Sequence, residues 1–456
     1  MKPVEYLKKE ESKSLEQLKE LLTIPSVSAQ PSYKNDMRQC AVWVKNYLDN
    51  LGIKTELCET KGHPIVYGAY IKSSTLPTVL IYGHYDVQPP EPLELWKTPP
   101  FEPSESDGYL VARGASDDKG QFFAQIKGVE ALLKTQHELP VNIKFLIEGE
   151  EEAGVTNLIP FIKNNKNKLK AHIAVISDSS QYGPDMPAIN YGLRGIAFVE
   201  VKIYGPDKDL HSGSFGGAVA NPINILCQMI GTLHDADGRV LVDGFYENVY
   251  TASEQERNML AQLPFQEQQY LATTGSQSLF GEKGYATIER TWIRPTLDCN
   301  GITGGYQGEG SKTIIPSWAS AKITMRLVPD MTPQEICDKL EKHLKKICPG
   351  SVRMEITKHG GAFPVQVPFD SSWCEAAAKA IETGFGRRPY FTKEGGSIPI
   401  VETFKTELGI DTLLIGFGQN DNNTHSPNER FLIKDFHRGC QTALALLEEL
   451  AKVPIR

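Results

Sequence analysis

Acidic and histidine side chains cluster directly after apolar runs of this sequence. The run 80–82 leads into Gly83-His84-Tyr85-Asp86, and the run 141–147 leads into Glu148-Gly149 and three further glutamates. Imidazole nitrogens and carboxylate oxygens are ligands that hydrolytic metal ions take in proteins. The pattern therefore predicts a hydrolytic metal centre with nitrogen and oxygen ligands. The side chains that follow an apolar run or open an expected helix are His84, Asp86, Asp117, Asp118, Glu150, Glu151, Glu152, Asp178 and His425.

Each of these motifs also has an ordinary structural explanation when it is taken alone. A histidine after a strand is usually a surface residue, and the run Glu150–Glu152 is compatible with a solvated loop. Asp117 and Asp118 resemble residues that cap a helix, where carboxylates accept from free backbone N–H groups. The joint placement of these residues at the ends of expected strands favours a metal site, because crowded carboxylates repel each other without a cation. From spacing alone, both interpretations stay open.

The elements that must position these side chains alternate between strands and helices. The apolar patterns predict strands over 65–71, 78–82, 141–147 and 172–177, with a helix over 119–136 between the second and the third. Such alternation is typical of an α/β layer with a mainly parallel central sheet flanked by helices. In open sheets of this kind, ligands bind beyond the carboxyl ends of the strands.

The order of the expected strands and helices changes near residue 192 and returns to the earlier alternation near residue 358. A strand over 196–204 and a helix after residue 222 are expected, followed by a long irregular stretch to about residue 310. A strand over 319–328, a helix from residue 333 and a strand over 352–357 complete the region. The sequence therefore predicts an outer domain of residues 1–192 and 358–456 and an inserted α+β domain of residues 193–357.

Composition excludes several classes of protein. Lys and Arg total 48 and Asp and Glu total 56 in 456 residues, so the formal charge of −8 argues against nucleic-acid binding. No apolar run is long enough for a membrane span, and the charged N-terminus lacks the apolar core of a signal peptide. The eight cysteines are scattered without a C-x-x-C pair. We expect a reduced, cytoplasmic protein without nucleic-acid or membrane partners.

Eight short strings occur in a characteristic order: GHYDVQP, RGASDDKG, EGEEEAG, ISD, DLHSG, RLVPDMTP, EGGSIP and THSPNE. Together they resemble the di-zinc metallopeptidase family of carnosinase and cytosolic nonspecific dipeptidase. That family also includes succinyl-diaminopimelate desuccinylase, acetylornithine deacetylase, aminoacylase and glutamate carboxypeptidase. The resemblance covers nearly the whole chain, and the passage WKTPPFEPSESDGYLVARGASDDKG is most similar to the dipeptidase branch.

The resemblance implies a centre of two Zn²⁺ ions, with Mn²⁺ or Co²⁺ as alternatives, held by His84, Asp117, Glu152, Asp178 and His425. Asp117 would bridge the two ions, and Asp86 would orient the His84 ring. Glu151 would be the general base that deprotonates a water bridging the metals. The neighbouring acids Asp118 and Glu150 make the register of these assignments an open question.

The resemblance also implies a dipeptidase that cleaves the amide bond of dipeptides or short peptides and forms a homodimer. The inserted domain would be a ferredoxin-like lid and dimerisation domain, and His211 would reach the site of a partner subunit. Arg326 would bind the terminal carboxylate, since its planar fork matches a carboxylate; a structural ion pair is its alternative role. The implied substrate contacts are His211, Thr313, Arg326, His359 and Ser397.

Two other functions remain as alternatives to the dipeptidase. An N-acyl-amino-acid deacylase, such as a desuccinylase or a deacetylase, would use the same metal centre on an N-acylated amino acid. A noncatalytic binding protein that retains the fold is the non-enzymatic alternative.

Overall fold

The computed structural model describes residues 1–154, 156–396 and 398–455. The backbone divides into two compact units. Unit 1 comprises Met1–Tyr191, Val367–Thr392 and Thr403–Arg456, and unit 2 comprises Gly192–Gln366 and Lys393–Glu402. Among the described residues, no helix is both long and apolar enough to cross a membrane.

The helices of the described chain are α1 Pro3–Lys9, α2 Glu11–Leu22, α3 Lys34–Asn50, α4 Lys119–Gln136, α5 Leu158–Asn164, α6 Lys166–Leu169, α7 Ser212–Phe215, α8 Pro222–Gly231, α9 Glu254–Ala261, α10 Glu267–Thr274, α11 Thr287–Trp292, α12 Pro333–Ile347, α13 Ser372–Phe385, α14 Pro399–Thr403 and α15 Ile433–Leu450. Short 3-10 turns occur at Pro31–Tyr33 and Leu93–Leu95, and a π-helical turn occurs at Phe404–Leu408.

The strands are β1 Lys54–Cys58, β2 Ile65–Tyr70, β3 Thr78–His84, β4 Ser104–Ser106, β5 Tyr109–Val111, β6 Asn142–Glu148, β7 Ile173–Ile176, β8 Ala188–Leu193, β9 Gly195–Tyr204, β10 Leu210–His211, β11 Thr296–Gly304, β12 Ile314–Ile315, β13 Trp318–Leu327, β14 Arg353–Ala362, β15 Val365–Gln366, β16 Tyr390–Glu394, β17 Asp411–Leu414 and β18 Arg430–Leu432.

The main sheet of unit 1 has the strand order β1-β2-β6-β3-β7-β17-β8. Its central strands β6, β3, β7 and β17 run parallel, whereas β1, β2 and β8 pair antiparallel at the edges. The predicted α/β class with a mainly parallel central sheet is confirmed. The central strands are buried along their length, as expected for parallel strands with both faces covered.

Helix α4 begins directly after Asp117 and Asp118 and lies in the core of unit 1. Its residues 119–132 are all buried, and α15 packs along it. Phe123 of α4 stacks on Phe436 of α15 with ring centroids 6.4 Å apart. Gly128 permits the close approach, because a Cβ atom there would lie 2.6 Å from the backbone nitrogen of Leu444.

Unit 2 is built on an antiparallel sheet of order β11-β13-β9-β14. Strand β9 alternates between buried and more exposed residues, because one face of the sheet packs against helices α8 and α12. The apolar side chains of that face, including Val199, Val201, Ile203 and Ile323, form the core of the unit together with Leu340 of α12.

The stretch that the sequence presents as irregular, up to about residue 310, contains helices α9, α10 and α11 and strand β11. Strand β11 escaped prediction because its sequence, TLDCNGITG, lacks apolar alternation and contains Asn-Gly. It lies at the edge of its sheet, with an irregularity between Cys299 and Gly301, and most of its residues are exposed. A strand at the edge of its sheet buries few side chains, so its sequence shows no regular alternation of apolar and polar residues.

Candidate metal centre

Three adjacent strands of unit 1 place the acidic and histidine turns at one edge of the sheet. In the parallel register His84 of β3 lies beside Glu148 of β6, and Tyr82 lies beside Ile176 of β7. The turns that follow these strands therefore emerge together. They carry Asp86, the residues 150–152 and Asp178. Asp117 lies just before α4, and His425 lies in the loop between β17 and β18.

Two groups of side chains have the geometry to hold a metal ion. The first group is His84, Asp117 and Asp178, and the second is Asp117, Glu152 and His425; within each, the ligand atoms lie within 4.8 Å of one another. His84 Nε2 is 3.1 Å from Asp117 Oδ1 and 3.7 Å from Asp178 Oδ2. His425 Nε2 is 3.0 Å from Asp117 Oδ2 and 3.3 Å from Glu152 Oε1. Asp117 thus presents one oxygen to each group.

The donor atoms of these groups fit a pair of divalent cations. His84 Nε2 and Glu152 Oε1 are buried and form no hydrogen bond with the described residues, although both have charged neighbours within 3.5 Å. A buried polar atom without a hydrogen bond costs free energy, and coordination would satisfy it. Two imidazoles and three carboxylates without a cysteine are a set that suits Zn²⁺ and similar metals.

Asp86 connects the His84 ring to the glutamate turn. Its side chain is fully buried, and Oδ1 lies 3.4 Å from His84 Nδ1. The same carboxylate accepts hydrogen bonds from the backbone nitrogens of Glu151 at 3.3 Å and of Glu152 at 3.1 Å. One side chain therefore contacts both the ring of a candidate ligand and the turn that carries Glu151 and Glu152, which is the arrangement of a residue that orients a ligand.

The adjacent glutamates Glu150 and Glu151 have different surroundings. Both carboxylate oxygens of Glu150 accept from Asn157 Nδ2, and one also accepts from the backbone nitrogen of His63. Glu151 instead interacts electrostatically with His84 and Asp178 of the first ligand group and with Asp117 and Glu152 of the second. Burial raises the pKa of Glu151 to about 7, with His84 opposing the rise and Asp178 adding to it. Glu150 is therefore held by hydrogen bonds within the turn, whereas the carboxylate of Glu151 is influenced mainly by burial and by the candidate ligands.

The adjacent aspartates Asp117 and Asp118 also differ, across a cis peptide bond. Asp118 is fully buried, and its Oδ2 accepts from the backbone nitrogen of His84 at 3.2 Å. Burial raises the pKa of Asp118 well above its usual range. Burial would raise the pKa of Asp117, but the nearby imidazoles of His425 and His84 outweigh it and lower this pKa below its usual range. Only Asp117 belongs to the two ligand groups.

The exposed ligand of the second group is His425. The neighbouring carboxylates of Asp117 and Glu152 raise the pKa of His425 to about 10. Its backbone has a φ of 60°, in the left-handed region. This conformation is unfavourable for a residue with a side chain, so the surrounding loop must hold it.

Sequence reasoning missed Glu429, which belongs to the quoted string THSPNE but received no role. Glu429 is buried and accepts from Arg113 and from three backbone nitrogens of the loop that contains Asp117. The signal in the sequence was an acidic residue four positions after a candidate ligand, within the string THSPNE, which marks the residue but not its role.

The described candidates for substrate binding lie in unit 2. His211 ends β10, and its Nδ1 accepts from the backbone nitrogen of Gly213 at 3.0 Å. Ser212 donates its backbone N–H to the Thr313 carbonyl oxygen at 3.0 Å, so His211 and Thr313 lie on neighbouring segments.

Arg326 and His359 lie on strands that flank β9. Arg326 of β13 is paired with Ile196 of β9. His359 of β14 lies within a register shift, and its Nε2 is 3.8 Å from Glu200 Oε2. The fifth candidate, Ser397, lies outside the described residues.

Comparison with known proteins gives one consistent result. The sequence profile of peptidase family M20/M25/M40 matches residues 80–449. The Cys-Gly metallodipeptidase DUG1 of Candida albicans is 35% identical over 452 residues, which cover 94% of this chain and 93% of that protein. The Beta-Ala-His dipeptidase of Homo sapiens is 30% identical over 470 residues, which cover 99% of this chain and 93% of that protein.

Solved structures agree with the sequence matches. An M20 family metallo-carboxypeptidase, Sso-CP2 from Sulfolobus solfataricus, superposes with a TM-score of 0.82 at 35% identity. The superposition covers 96% of this chain and 99% of that one.

Proposed function

The chain belongs to peptidase family M20/M25/M40, and from this premise we propose that its two ligand groups form a di-zinc centre. The chain is a metallodipeptidase, a hydrolase that acts on peptide bonds. The metal ions that we propose are Zn²⁺, with Mn²⁺ or Co²⁺ as alternatives. His84, Asp117 and Asp178 would hold one ion, and Asp117, Glu152 and His425 would hold the other.

The observation that carries this proposal is the position of the Asp117 carboxylate. Its Oδ1 is 3.1 Å from one histidine nitrogen and its Oδ2 is 3.0 Å from another. A carboxylate that offers one oxygen to each of two ligand groups is suited to bridging two cations. The remaining donors are arranged on either side of it, so the two groups form one centre.

The chemistry follows from the residues around this centre. Bound metal ions supply an acidified water and polarise the scissile carbonyl. Glu151 takes the proton of the attacking water and passes it to the leaving amine. Asp86 orients the His84 ring and accepts a hydrogen bond from the backbone of Glu151. One carboxylate therefore positions both a metal ligand and the general base.

Substrate recognition is assigned to unit 2. We propose that Arg326 binds the terminal carboxylate of the dipeptide, because a guanidinium pairs with a carboxylate through two hydrogen bonds. A second cation lies near it: burial and the charge of Arg326 lower the pKa of Arg194 to about 10. The proposed contacts with the peptide are His211, Thr313, His359 and Ser397.

We further propose that residues 193–357 serve as a lid and dimerisation domain and that the protein is a homodimer. His211 would then complete the site of the partner subunit. The proposed location is the cytoplasm, which fractionation of cells would test.

The experiment that tests the function is a substrate panel on metal-reconstituted protein. Dipeptides are compared with N-succinyl and N-acetyl amino acids, and kcat/KM is measured for each. We expect dipeptides to be the better substrates. Preferential hydrolysis of the N-acylated amino acids would identify a deacylase instead. Metal binding without hydrolysis of either class would identify a binding protein that retains the fold.

A further inference from the structure

The buried carboxylate of Glu429 is surrounded by donors from a single loop. Oε2 accepts from Arg113 Nη1 at 2.9 Å and from the backbone nitrogen of Gly114 at 2.8 Å. Oε1 accepts from the backbone nitrogens of Ser116 at 2.9 Å and Asp117 at 3.0 Å. Glu429 and Arg113 are each only 1% exposed. A charged acceptor with four donors in a dry site is a strong local constraint.

The hydrogen bonds of Glu429 join two loops, each of which contains a proposed metal ligand. The loop that donates to Glu429 ends in Asp117, and Glu429 itself follows His425 by four residues. Asn422 Nδ2 also donates to Ser116 Oγ at 2.9 Å, which links the same two loops a second time. The relative position of Asp117 and His425 therefore depends on hydrogen bonds between the two loops, in which the side chains of Asp117 and His425 take no part.

The loop that carries His425 requires such support. Asn423, His425 and Asn428 all have positive φ, at 55°, 60° and 62°. Side-chain-bearing residues in this region store backbone strain and persist only where neighbouring contacts enforce them. The Asn428 side chain accepts from the backbone nitrogen of Lys97 and donates to the carbonyl oxygen of Leu95, both at 2.8 Å. Glu429 adds the contact that ties this strained loop to Asp117.

We propose that Glu429 is a positioning residue that sets the affinity of the second ligand group, Asp117, Glu152 and His425, for its metal ion. This inference rests on the proposed dinuclear centre. A carboxylate suits this position because each of its two oxygens accepts hydrogen bonds from two donors. In Glu429→Gln the new amide N–H₂ group would face donors, so at least part of the loop must shift.

The test is metal binding by Glu429→Gln, measured by competition of Zn²⁺ with a chelating dye. Loss of a residue that orients metal ligands costs about 10–100-fold in metal affinity. We expect one of the two ions to bind weaker by about that factor, with an altered visible spectrum of the Co²⁺-loaded protein. Excess metal should restore most of kcat. Unchanged affinity for both ions would overturn the proposal.

The matched control is Glu130→Gln. Glu130 is also a buried carboxylate of unit 1, and it accepts from Tyr6, Tyr47 and Lys127. Its loss should lower the stability of the fold and leave both metal affinities unchanged. Equal weakening of metal binding in the Glu130 and Glu429 variants would mean that Glu429 acts only through general stability, which contradicts the proposal.

A second variant covers the case in which Glu429→Gln does not fold. Glu429→Asp keeps the negative charge beside Arg113 but is too short to reach all three backbone nitrogens, so weaker binding of one ion is again expected. Wild-type affinity in this variant would overturn the inference. If the wild-type protein itself binds no metal, the proposed centre is wrong, whereas two bound ions in the wild type and unchanged variants refute only the role of Glu429.

Discussion

At the residue scale, the adjacent glutamates Glu150 and Glu151 have different surroundings, and we propose that only Glu151 is the general base. Asn157 holds Glu150 through both oxygens, while Glu151 interacts electrostatically with the ligand groups. Glu151→Gln keeps the size of the side chain and removes the base, so we expect kcat to fall by about 10²–10⁴-fold. Metal content should stay at the wild-type value, which elemental analysis checks.

The matched variant for this prediction is Glu150→Gln. An amide can still accept from Asn157, so most of the activity should be retained. If Glu150→Gln were inactive and Glu151→Gln active, the assignment of the base would be wrong by one residue.

The same comparison applies to the neighbouring aspartates. Asp117→Asn should lower metal content, because the carboxylate that we propose as the bridge between the ions loses its charge and one acceptor oxygen. Asp118→Asn can still accept the hydrogen bond from the His84 backbone, so most of the metal should remain. Elemental analysis of the two purified variants measures both outcomes. Equal metal loss would show that the structure does not distinguish the two aspartates as we describe.

At the element scale, helix α4, which begins just after Asp117, packs closely against α15. Gly128→Ala removes a helical glycine, which by propensity alone would stabilise α4 by about 1 kcal/mol. The new Cβ atom would lie 2.6 Å from Leu444 N and 2.7 Å from Ala443 Cβ, so overpacking of about 1–3 kcal/mol opposes that gain. We expect a net loss of stability in urea unfolding.

The control for this prediction is Gly231→Ala, also at a helical glycine. A Cβ atom there meets nothing within 4 Å. Its stability should be unchanged or slightly higher. A stabilised Gly128→Ala variant would mean that α4 and α15 are not packed as closely as described.

Sequence patterns predicted the elements whose burial is continuous. Strands β3 and β6 and helix α4 were anticipated within one or two residues, because long apolar runs have few alternative structures. The edge strand β11 was not anticipated, since most of its side chains are exposed and its sequence shows no apolar alternation. Helices α9, α10 and α11 were missed in the same irregular stretch.

The candidate ligands could be chosen because strand ends and a family resemblance pointed to the same residues. The role of Glu429 could not be predicted. It depends on a hydrogen bond to Arg113, a residue 316 positions away in the sequence, and therefore on how two distant loops pack. Whether Glu150 or Glu151 faces the ligands likewise depended on Asn157, which no motif singled out.

At the scale of the whole molecule, the proposed homodimer makes a prediction about complementation. If His211 acts in the site of the partner subunit, His211→Ala and Glu151→Gln should each be nearly inactive. After subunit exchange, random pairing gives mixed dimers in roughly half of the population, each with one intact site of two. We expect activity to recover towards about a quarter of the wild-type value.

Subunit exchange must be demonstrated separately in that experiment, for example by mixing differently tagged chains. Exchange without recovered activity would contradict a role for His211 in the partner's site.

The central claim is that two metal ions share Asp117 and together perform dipeptide hydrolysis. It is tested most directly by titrating metal-free protein with Zn²⁺ while dipeptide hydrolysis is measured. We expect no activity without metal and a plateau of activity at two equivalents of Zn²⁺ per chain, which Asp117→Asn fails to reach. Full activity in the metal-free protein, or a plateau at one equivalent, would contradict it.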